Sequence, residues 1–300
     1  MARYWPHPAV PGVNLLRARY VTHRYSKHTH ETYTMALIEE GIEEFSHAGR
    51  LLRAGPGSVI LVNPEVVHTG HAGRPEGWTY RVFYPAVDVV EAVAAELGFR
   101  PGTPRFRPAV VPDARSARLL RSAHRAANGD GLASSSLLHA AIAGLLSAHA
   151  DQAPDGPPYG GPAHGGGDPG EGPRRARSAV RQARELLHDR VTTPPTLEEL
   201  ARLTGLGPHA LLRAFRAQTG LPPHAYLNQH RVRLARGLLD RGVPAAQAAV
   251  AAGFADQAHF TRHFKRIVGV PPGAYQRARG ARVRNCVQDR GEGRRVPSAL

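Results

Sequence analysis

The fold of the C-terminal part is decided by two stretches, TLEELARLTGLGPHALLRAF at residues 196–215 and VPAAQAAVAAGFADQAHFTRHF at residues 243–264. In each stretch an alanine precedes a glycine by four positions: Ala201 before Gly205, and Ala249 before Gly253. A helix-turn-helix needs a small residue where its second helix crosses the first, and a residue that tolerates positive φ at the sharp turn. We therefore predict two helix-turn-helix units of the same design.

A single helix is predicted to join the two units. Gly205 and Gly253 lie 48 positions apart, and between them residues 223–240 keep a continuous helical spacing of apolar side chains. Apolar residues at this spacing indicate one helix with an inward face. Thr196 and Pro244 are suited to open the first helix of each unit, because threonine caps helices and proline fits their first turn. The C-terminal part is therefore expected to be all-α.

This part of the chain resembles the DNA-binding domain of the AraC/XylS family of transcription regulators, over residues 178–279. The resemblance rests on three segments: TLEELARLTGL, ALLRAFRAQTGLPPHAYLNQHRVRLARGLL and AAVAAGFADQAHFTRHFKRIVGVPPGAYQRAR. The last segment contains the family's most specific pattern, Gly-Phe, then a phenylalanine-rich helix, then Gly-Val-Pro-Pro-x-x-Tyr. The resemblance implies a transcription regulator that binds double-stranded promoter or operator DNA and acts with RNA polymerase.

The second helix of each unit carries the candidate DNA-reading side chains. Outward residues in the first two turns of a recognition helix face base edges in the major groove. Arg213 and Arg262 are suited to pair with guanine, and Gln257 with adenine. Leu212 or Thr261 could meet a thymine methyl group. The other predicted contacts are base contacts from His209 and Ala258 and phosphate contacts from Arg216, Lys265 and Arg266.

The two recognition helices are expected to lie about 34 Å apart, one helical turn of DNA.

The charge distribution also favours DNA as the partner. The chain has a formal net charge of +15, and residues 1–173 contain 16 basic and 16 acidic side chains, whereas residues 174–300 contain 23 and 8. A coding bias towards arginine would raise both halves alike. The excess therefore indicates that the C-terminal half neutralises phosphates.

The chain is predicted to be an α+β protein of two domains. Residues 151–177 are dominated at first by glycine and proline and are expected to form a flexible linker. The linker separates an N-terminal domain at residues 1–150 from the double helix-turn-helix domain at residues 178–279. Residues 280–300 are polar and arginine-rich and are expected to form a disordered basic tail.

The N-terminal domain is predicted to be a small β-barrel followed by helices. Short apolar stretches at residues 33–39, 43–47 and 58–62 lie between glycine and proline turns, which is typical of barrels and sandwiches. After Pro112 two runs have helical periodicity. Their leucine-rich faces either pack on the barrel or form a dimer contact.

Histidines mark one side of this barrel. On a strand, residues i and i+2 face the same side, so His28 and His30 are expected to point together, with His68 joining them after a turn. This arrangement resembles the cupin barrel that AraC-type regulators carry as a sensor domain. The resemblance implies a small-molecule effector, and the predicted effector contacts are His28, His30, Tyr33 and His68. The barrel could equally serve mainly for dimerisation.

No metal or cofactor is predicted in the barrel. In metal-binding cupins a glutamate follows the His-x-His pair by several residues, but Thr34 and Met35 stand near that position here. Glu31 is adjacent to His30 and so faces the other way. A metal-dependent cupin enzyme with an appended DNA-binding domain is the alternative to a regulator. The enzyme is disfavoured because glycine-rich phosphate loops, nucleophile elbows and suitably paired carboxylates are missing from the sequence.

Composition sets the remaining expectations. Cys286 is the only cysteine, which excludes an internal disulfide framework. The first residues lack a basic segment followed by an apolar one, and no apolar run of about 20 residues stands out. We therefore expect a cytoplasmic protein that does not enter the membrane. Formation of a homodimer through the N-terminal domain is left open.

Overall fold

The computed structural model describes residues 2–151 and 171–279. Its strands are β1 (Ala2–Pro6), β2 (Val13–Tyr20), β3 (Arg24–His28), β4 (Thr34–Gly41), β5 (Glu43–His47), β6 (Arg50–Ala54), β7 (Val59–Val62), β8 (His68–Ala72), β9 (Trp78–Pro85), β10 (Arg105–Phe106), β11 (Val110–Val111) and β12 (Ala150–Asp151). Its helices are α1 (Val87–Glu96), α2 (Ala114–Ala126), α3 (Gly131–His149), α4 (Glu171–Asp189), α5 (Leu197–Thr204), α6 (Pro208–Thr219), α7 (Pro223–Asp240), α8 (Ala245–Ala251) and α9 (Gln257–Val268). Residues 272–279 are also helical.

The strands form a barrel-like pair of sheets. A six-stranded sheet has the order β1-β2-β9-β4-β7-β11, and a four-stranded sheet has the order β3-β8-β5-β6. Pairing within both sheets is antiparallel. Leu16 and Ile38 of the large sheet share one apolar interior with Phe45 of the small sheet. The predicted cupin-like, α+β architecture is confirmed.

The larger sheet is buried on both faces. Along β4, Ala36 and Ile38 face the barrel interior, whereas Met35 and Leu37 face α1, α2 and α3. Successive residues of a strand point to opposite faces of the sheet. A strand that is buried on both faces therefore has apolar side chains at successive positions. This explains why the stretch 33–39 reads as a nearly continuous apolar run.

The helices α2 and α3 are the two that were predicted after Pro112. α3 is long and apolar enough to cross a membrane, a possibility that the sequence analysis did not single out. Its Leu138, Ile142 and Leu145 are nevertheless buried against the large sheet. α3 is therefore a core helix of the N-terminal domain, and its leucine-rich face is at least in part core.

The first helix-turn-helix unit has its own core. Val180 and Leu187 of α4 pack with Leu200 and Phe215 of the unit. α4 begins at Glu171, so residues 171–177, which were predicted to be linker, belong to its first turns. Proline is tolerated in the first turn of a helix, so Pro173 does not prevent this start. The rest of the predicted linker, 152–170, and the predicted tail, 280–300, lie outside the described residues.

The second unit is packed on the barrel. Phe260 and Phe264 belong to the same apolar cluster as the barrel interior. Tyr275, from the helical residues 272–279, places its ring 5.2 Å from that of Tyr4 in β1. The cores of the two domains are therefore continuous at this point, which the predicted flexible linker does not indicate.

Candidate functional site

The first helix-turn-helix unit, hereafter unit 1, consists of α5 and α6. Thr196 caps α5: its side chain accepts a hydrogen bond from the Glu199 backbone N–H, and the Glu199 carboxylate accepts one from the Thr196 backbone N–H in return. The hydrogen bond that the Glu199 carboxylate accepts from the Thr196 backbone N–H lowers the pKa of Glu199. Gly205 ends α5 at φ +68°, and Ala201 is buried where α6 crosses. The turn and crossing residues are therefore those that the sequence indicates.

The second unit, hereafter unit 2, consists of α8 and α9. Gly253 has φ +79°, and a Cβ built on it would lie 2.6 Å from the carbonyl oxygen of Val191. Only glycine satisfies both restrictions without displacing backbone. Asp256 caps α9 by accepting a hydrogen bond from the His259 N–H, which lowers the pKa of Asp256. Unit 2 thus fits more tightly at its turn than unit 1.

Both recognition helices present their outward faces. In α6, His209, Arg213 and Arg216 are exposed, and Leu212 is partly exposed. In α9 the exposed members of the predicted set are Gln257, Ala258, Arg262, Lys265 and Arg266, and Thr261 is partly exposed. The Thr261 hydroxyl donates to the Gln257 carbonyl oxygen at 2.7 Å, so its methyl group is the part most suited to meet a base. All ten predicted DNA-contacting residues therefore remain accessible while the domains are docked.

Arg231 of α7 links the two units. Its guanidinium donates to the Val191 carbonyl oxygen from Nε at 3.0 Å and from a terminal nitrogen at 2.7 Å. Val191 follows α4, the helix that completes the core of unit 1, and its oxygen also faces Gly253 of unit 2. Arg231 therefore restrains how the two reading helices sit relative to each other. Sequence reasoning missed this residue because its partner is a loop carbonyl.

The barrel brings three of the four predicted effector contacts together. One ring nitrogen from each of His28, His30 and His68 lies within 4.8 Å of the other two. Burial lowers the pKa of His28 to about 4. Burial and the neighbouring imidazoles hold the pKa values of His30 and His68 well below their usual range. The three rings are therefore neutral at pH 7.

Tyr33 is not part of this cluster, which corrects the predicted effector set. Its ring belongs to the cluster on the outer face of the large sheet, and its hydroxyl donates to the Pro104 carbonyl oxygen. The next residue, Thr34, lines the cavity instead. Alternation along the strand explains the difference, since adjacent residues face opposite sides.

A buried carboxyl group lines the same cavity. Glu43 of β5 is 6% exposed, and burial raises its pKa to about 8. Tyr25 stacks on His28 with ring centroids 5.5 Å apart, and Tyr80 and Tyr84 complete the wall. Glu43 was not among the predicted site residues, because it reaches the cavity from β5, two strands away from β3 in the same four-stranded sheet.

The histidine segment also touches the DNA-binding domain. The backbone N–H of Thr29 donates to the Gln229 side-chain oxygen of α7 at 3.0 Å, and the Thr29 hydroxyl and the Gln229 amide form a further bond. Arg233 of α7 forms a salt bridge with Glu65 at 2.7 Å and donates to the Thr29 hydroxyl. Glu65 adopts φ +61°, an uncommon conformation for a side-chain-bearing residue. We call these four residues the docking network.

Known protein families match both domains of the chain. Residues 10–146 match the AraC-like ligand binding domain family, and residues 200–278 match a helix-turn-helix domain family. The uncharacterized HTH-type transcriptional regulator YbfI of Bacillus subtilis (strain 168) is 25% identical over 254 residues, 82% of this chain and 85% of YbfI. The HTH-type transcriptional regulator GlxA of Rhizobium meliloti (strain 1021) is 32% identical over 98 residues, 32% of this chain and 30% of GlxA.

Solved structures share the fold. The apo form of a lysine-to-alanine variant of ToxT from Vibrio cholerae strain SCE256 covers 89% of this chain and 96% of its own, with a TM-score of 0.53 and 14% identity. Wild-type ToxT of the same strain, bound to an unsaturated fatty acid, covers 92% and 94% with a TM-score of 0.51 and 14% identity. This likeness extends over both domains of the chain.

These matches and the two helix-turn-helix units define a two-domain transcription regulator with an N-terminal ligand-binding domain. The chain belongs to the AraC/XylS family of transcriptional regulators. It is not an enzyme, and the alternative of a metal-dependent cupin enzyme with a DNA-binding appendage is set aside.

Proposed function

We propose that α6 and α9 read two successive major grooves of one duplex, through the ten residues predicted from the sequence. The observation that supports this most is their shared accessibility: all ten remain exposed or partly exposed while the barrel is docked on α7 and α9. Because α7 and Arg231 connect the units, a single chain presents both helices at once. We therefore expect the binding site to span two adjacent turns of DNA.

The DNA-binding proposal is tested by selecting duplexes from a random library with the full chain, then measuring affinity for the selected site. R213A and R262A are each expected to weaken specific binding about tenfold to a hundredfold and to relax preference at one base pair. R216A and K265A should weaken binding to all sequences alike and reduce its salt dependence. R50A, at an exposed arginine of the β5–β6 hairpin, is the charge-matched control. Parental binding by both R213A and R262A would overturn the assignment of the reading helices.

We further propose that a ligand held in the N-terminal domain changes the affinity for DNA. The ligand-binding family match supports this, as does the fatty acid bound by ToxT. The docking network offers the route, since it joins the wall of the barrel cavity to the helix that carries both units. The complex on DNA then acts in the cytoplasm on initiation by RNA polymerase. In vitro transcription from the selected site, with and without the chain, is the measurement.

Homodimerisation through the outer faces of α2 and α3 is a second proposal. Leu132 at the start of α3 is 78% exposed, although the inner face of the same helix is fully buried. Leu119, Ala143 and Gly144 also line an open groove between the two helices, and contiguous apolar surface, unlike a single exposed side chain, indicates a partner contact. Sedimentation of the chain and of L132E tests it: a dimer that dissociates in the variant supports the contact, and a monomeric parent at micromolar concentration excludes it.

A further inference from the structure

The histidine cluster has the dimensions of a metal site. The Nε2 atoms of His28 and His30 lie 3.2 Å apart, and the ligand nitrogens of the three histidines lie within 4.8 Å of one another. Histidine nitrogens bound to Zn²⁺ at 2.0–2.1 Å and tetrahedral angles lie roughly 3.4 Å from each other. Small side-chain rotations are therefore enough to bring three lone pairs onto one ion.

Two of the rings are already held in the tautomer that a metal needs. Nδ1 of His28 donates to the Ser26 carbonyl oxygen at 2.7 Å, and Nδ1 of His68 donates to the Val66 carbonyl oxygen at 2.9 Å. A neutral ring that donates from Nδ1 carries its lone pair on Nε2. Backbone acceptors of this kind orient histidine ligands in metal sites. The fixed hydrogen bonds therefore aim both Nε2 lone pairs at the cavity.

The cavity has room for an ion and water but not for a typical organic effector. About 40 Å³ is open to the centre of a water molecule, between the histidines, Glu43 and the tyrosine walls. One water occupies roughly 10–15 Å³ on this measure. Sites for organic ligands usually enclose about 300–1,000 Å³. The Glu43 carboxyl group lines the same space but is mostly protonated at pH 7, because burial raises its pKa to about 8, so the three imidazoles form the ligand set.

We propose that His28, His30 and His68 bind a late first-row divalent cation such as Zn²⁺, and that this cation is the signal which adjusts DNA binding. Three neutral imidazoles suit Zn²⁺, Cu²⁺ and Ni²⁺ better than Mg²⁺ or Ca²⁺, which take oxygen ligands. The proposal replaces the expectation of no metal in the barrel. It rests on the proposed function and names the ligand of that site.

The ligands and the docking network share the same two backbone segments. Thr29, which bonds Gln229 of α7, lies between His28 and His30. Glu65, which bonds Arg233 of α7, receives its position from a hydrogen bond between its own N–H and the His30 carbonyl oxygen at 2.7 Å. An ion that draws His30 and His68 together therefore fixes both segments in the docked arrangement. Binding of the ion to the histidines and docking of the barrel on α7 are therefore coupled, as linkage between two sites requires.

The cation site is tested on the full chain after removal of metals with a chelator. Titration with Co²⁺, followed by its visible absorption, and with Zn²⁺, followed by calorimetry, is expected to show one ion per chain. H28Q and H68Q should lose it. H71Q is the matched control, because His71 lies on the same strand as His68 but pairs with Glu44. Failure of the parent to bind either ion, or full binding by H68Q, overturns the site. Circular dichroism confirms that each variant is folded.

The regulatory step is tested on DNA. Zn²⁺ is expected to change the affinity of the parent for its selected site by about fivefold or more. Q229L, which removes the contact with Thr29 but no ligand, should still bind one ion and lose most of that change. An ion that binds without altering DNA affinity overturns the regulatory step. If metal-free and metal-loaded chains alike fail to select any duplex, the DNA-binding proposal itself is wrong, irrespective of the cation result.

Discussion

Units 1 and 2 share one design but are supported by different surroundings. Unit 1 packs on α4 and keeps a core of its own, whereas the core of unit 2 is continuous with the barrel interior. At the turn, Gly205 has space around it, while Gly253 is pressed against the Val191 carbonyl. The difference indicates that a change in the barrel reaches unit 2 through a shared core, whereas unit 1 meets the barrel at the end of α6, where Gly220 packs against Val67. Four expected outcomes test this contrast.

The largest expected effect separates the two turn glycines. G253A should lower the free energy of unfolding by about 3 kcal/mol, since it adds overpacking against backbone to the strain of positive φ. G205A should cost only about 1 kcal/mol, because the nearest atom is a terminal nitrogen of the exposed Arg175 side chain, at an ordinary contact distance of 3.7 Å. Urea unfolding of both variants measures the difference. Equal losses would show that the two turns are packed alike.

The barrel that supports unit 2 is expected to weaken in mild acid. Burial lowers the pKa of His124 to about 4. Arg81, which donates a hydrogen bond to Nδ1 of His124, lowers this pKa further, whereas Glu39 beside Arg81 raises it. Because the folded pKa is below the unfolded one, the contribution of His124 is complete above about pH 6.5 and is lost as pH falls towards 4.

The measurement is urea unfolding at pH 7 and pH 5. For His124 alone the free energy of unfolding should fall by about 2 kcal/mol between pH 7 and pH 5. The variant H124Q should therefore show a correspondingly smaller pH dependence of stability than the parent. Hydrogen exchange at pH 5 should rise first in α9, which rests on the barrel. Earlier exchange in α6 would contradict the contrast between the units.

One buried hydrogen bond attaches unit 2 to the barrel. The Tyr20 hydroxyl donates to the Gly269 carbonyl oxygen, at the end of α9, over 2.7 Å. Y20F leaves that carbonyl without its donor and should cost about 1–2 kcal/mol. Hydrogen exchange should quicken in α9 and remain unchanged in α6. Equal changes in both helices would mean that the units are attached to the barrel as one body.

The smallest expected effect is local to unit 1. T196A removes the capping box at the start of α5 and should cost about 1 kcal/mol. Amide hydrogen exchange of the T196A variant should increase in α5 and α6 but not in α9. D256A, which removes the cap of α9, is the corresponding change in unit 2. If T196A also loosened α9, unit 1 would be supporting unit 2 through α7.

Most of the C-terminal domain could be predicted from the amino-acid sequence alone. The Ala-to-Gly spacing, the caps and the helical periodicity act within about one helical turn, so Gly205, Gly253 and the helix at 223–240 were predicted correctly. For the same reason the outward faces of the recognition helices could be named in advance. In the barrel, strand alternation predicted that His28 and His30 lie together.

Contacts between segments that lie far apart in the chain could be identified only in the folded structure. Glu43 lines the same cavity as the histidines from β5, and Arg231 donates to a loop carbonyl 40 positions earlier in the chain. Thr29 and Gln229, 200 positions apart, bond only because the two domains are docked. Such contacts depend on the packing of whole elements, which local periodicity and spacing do not specify.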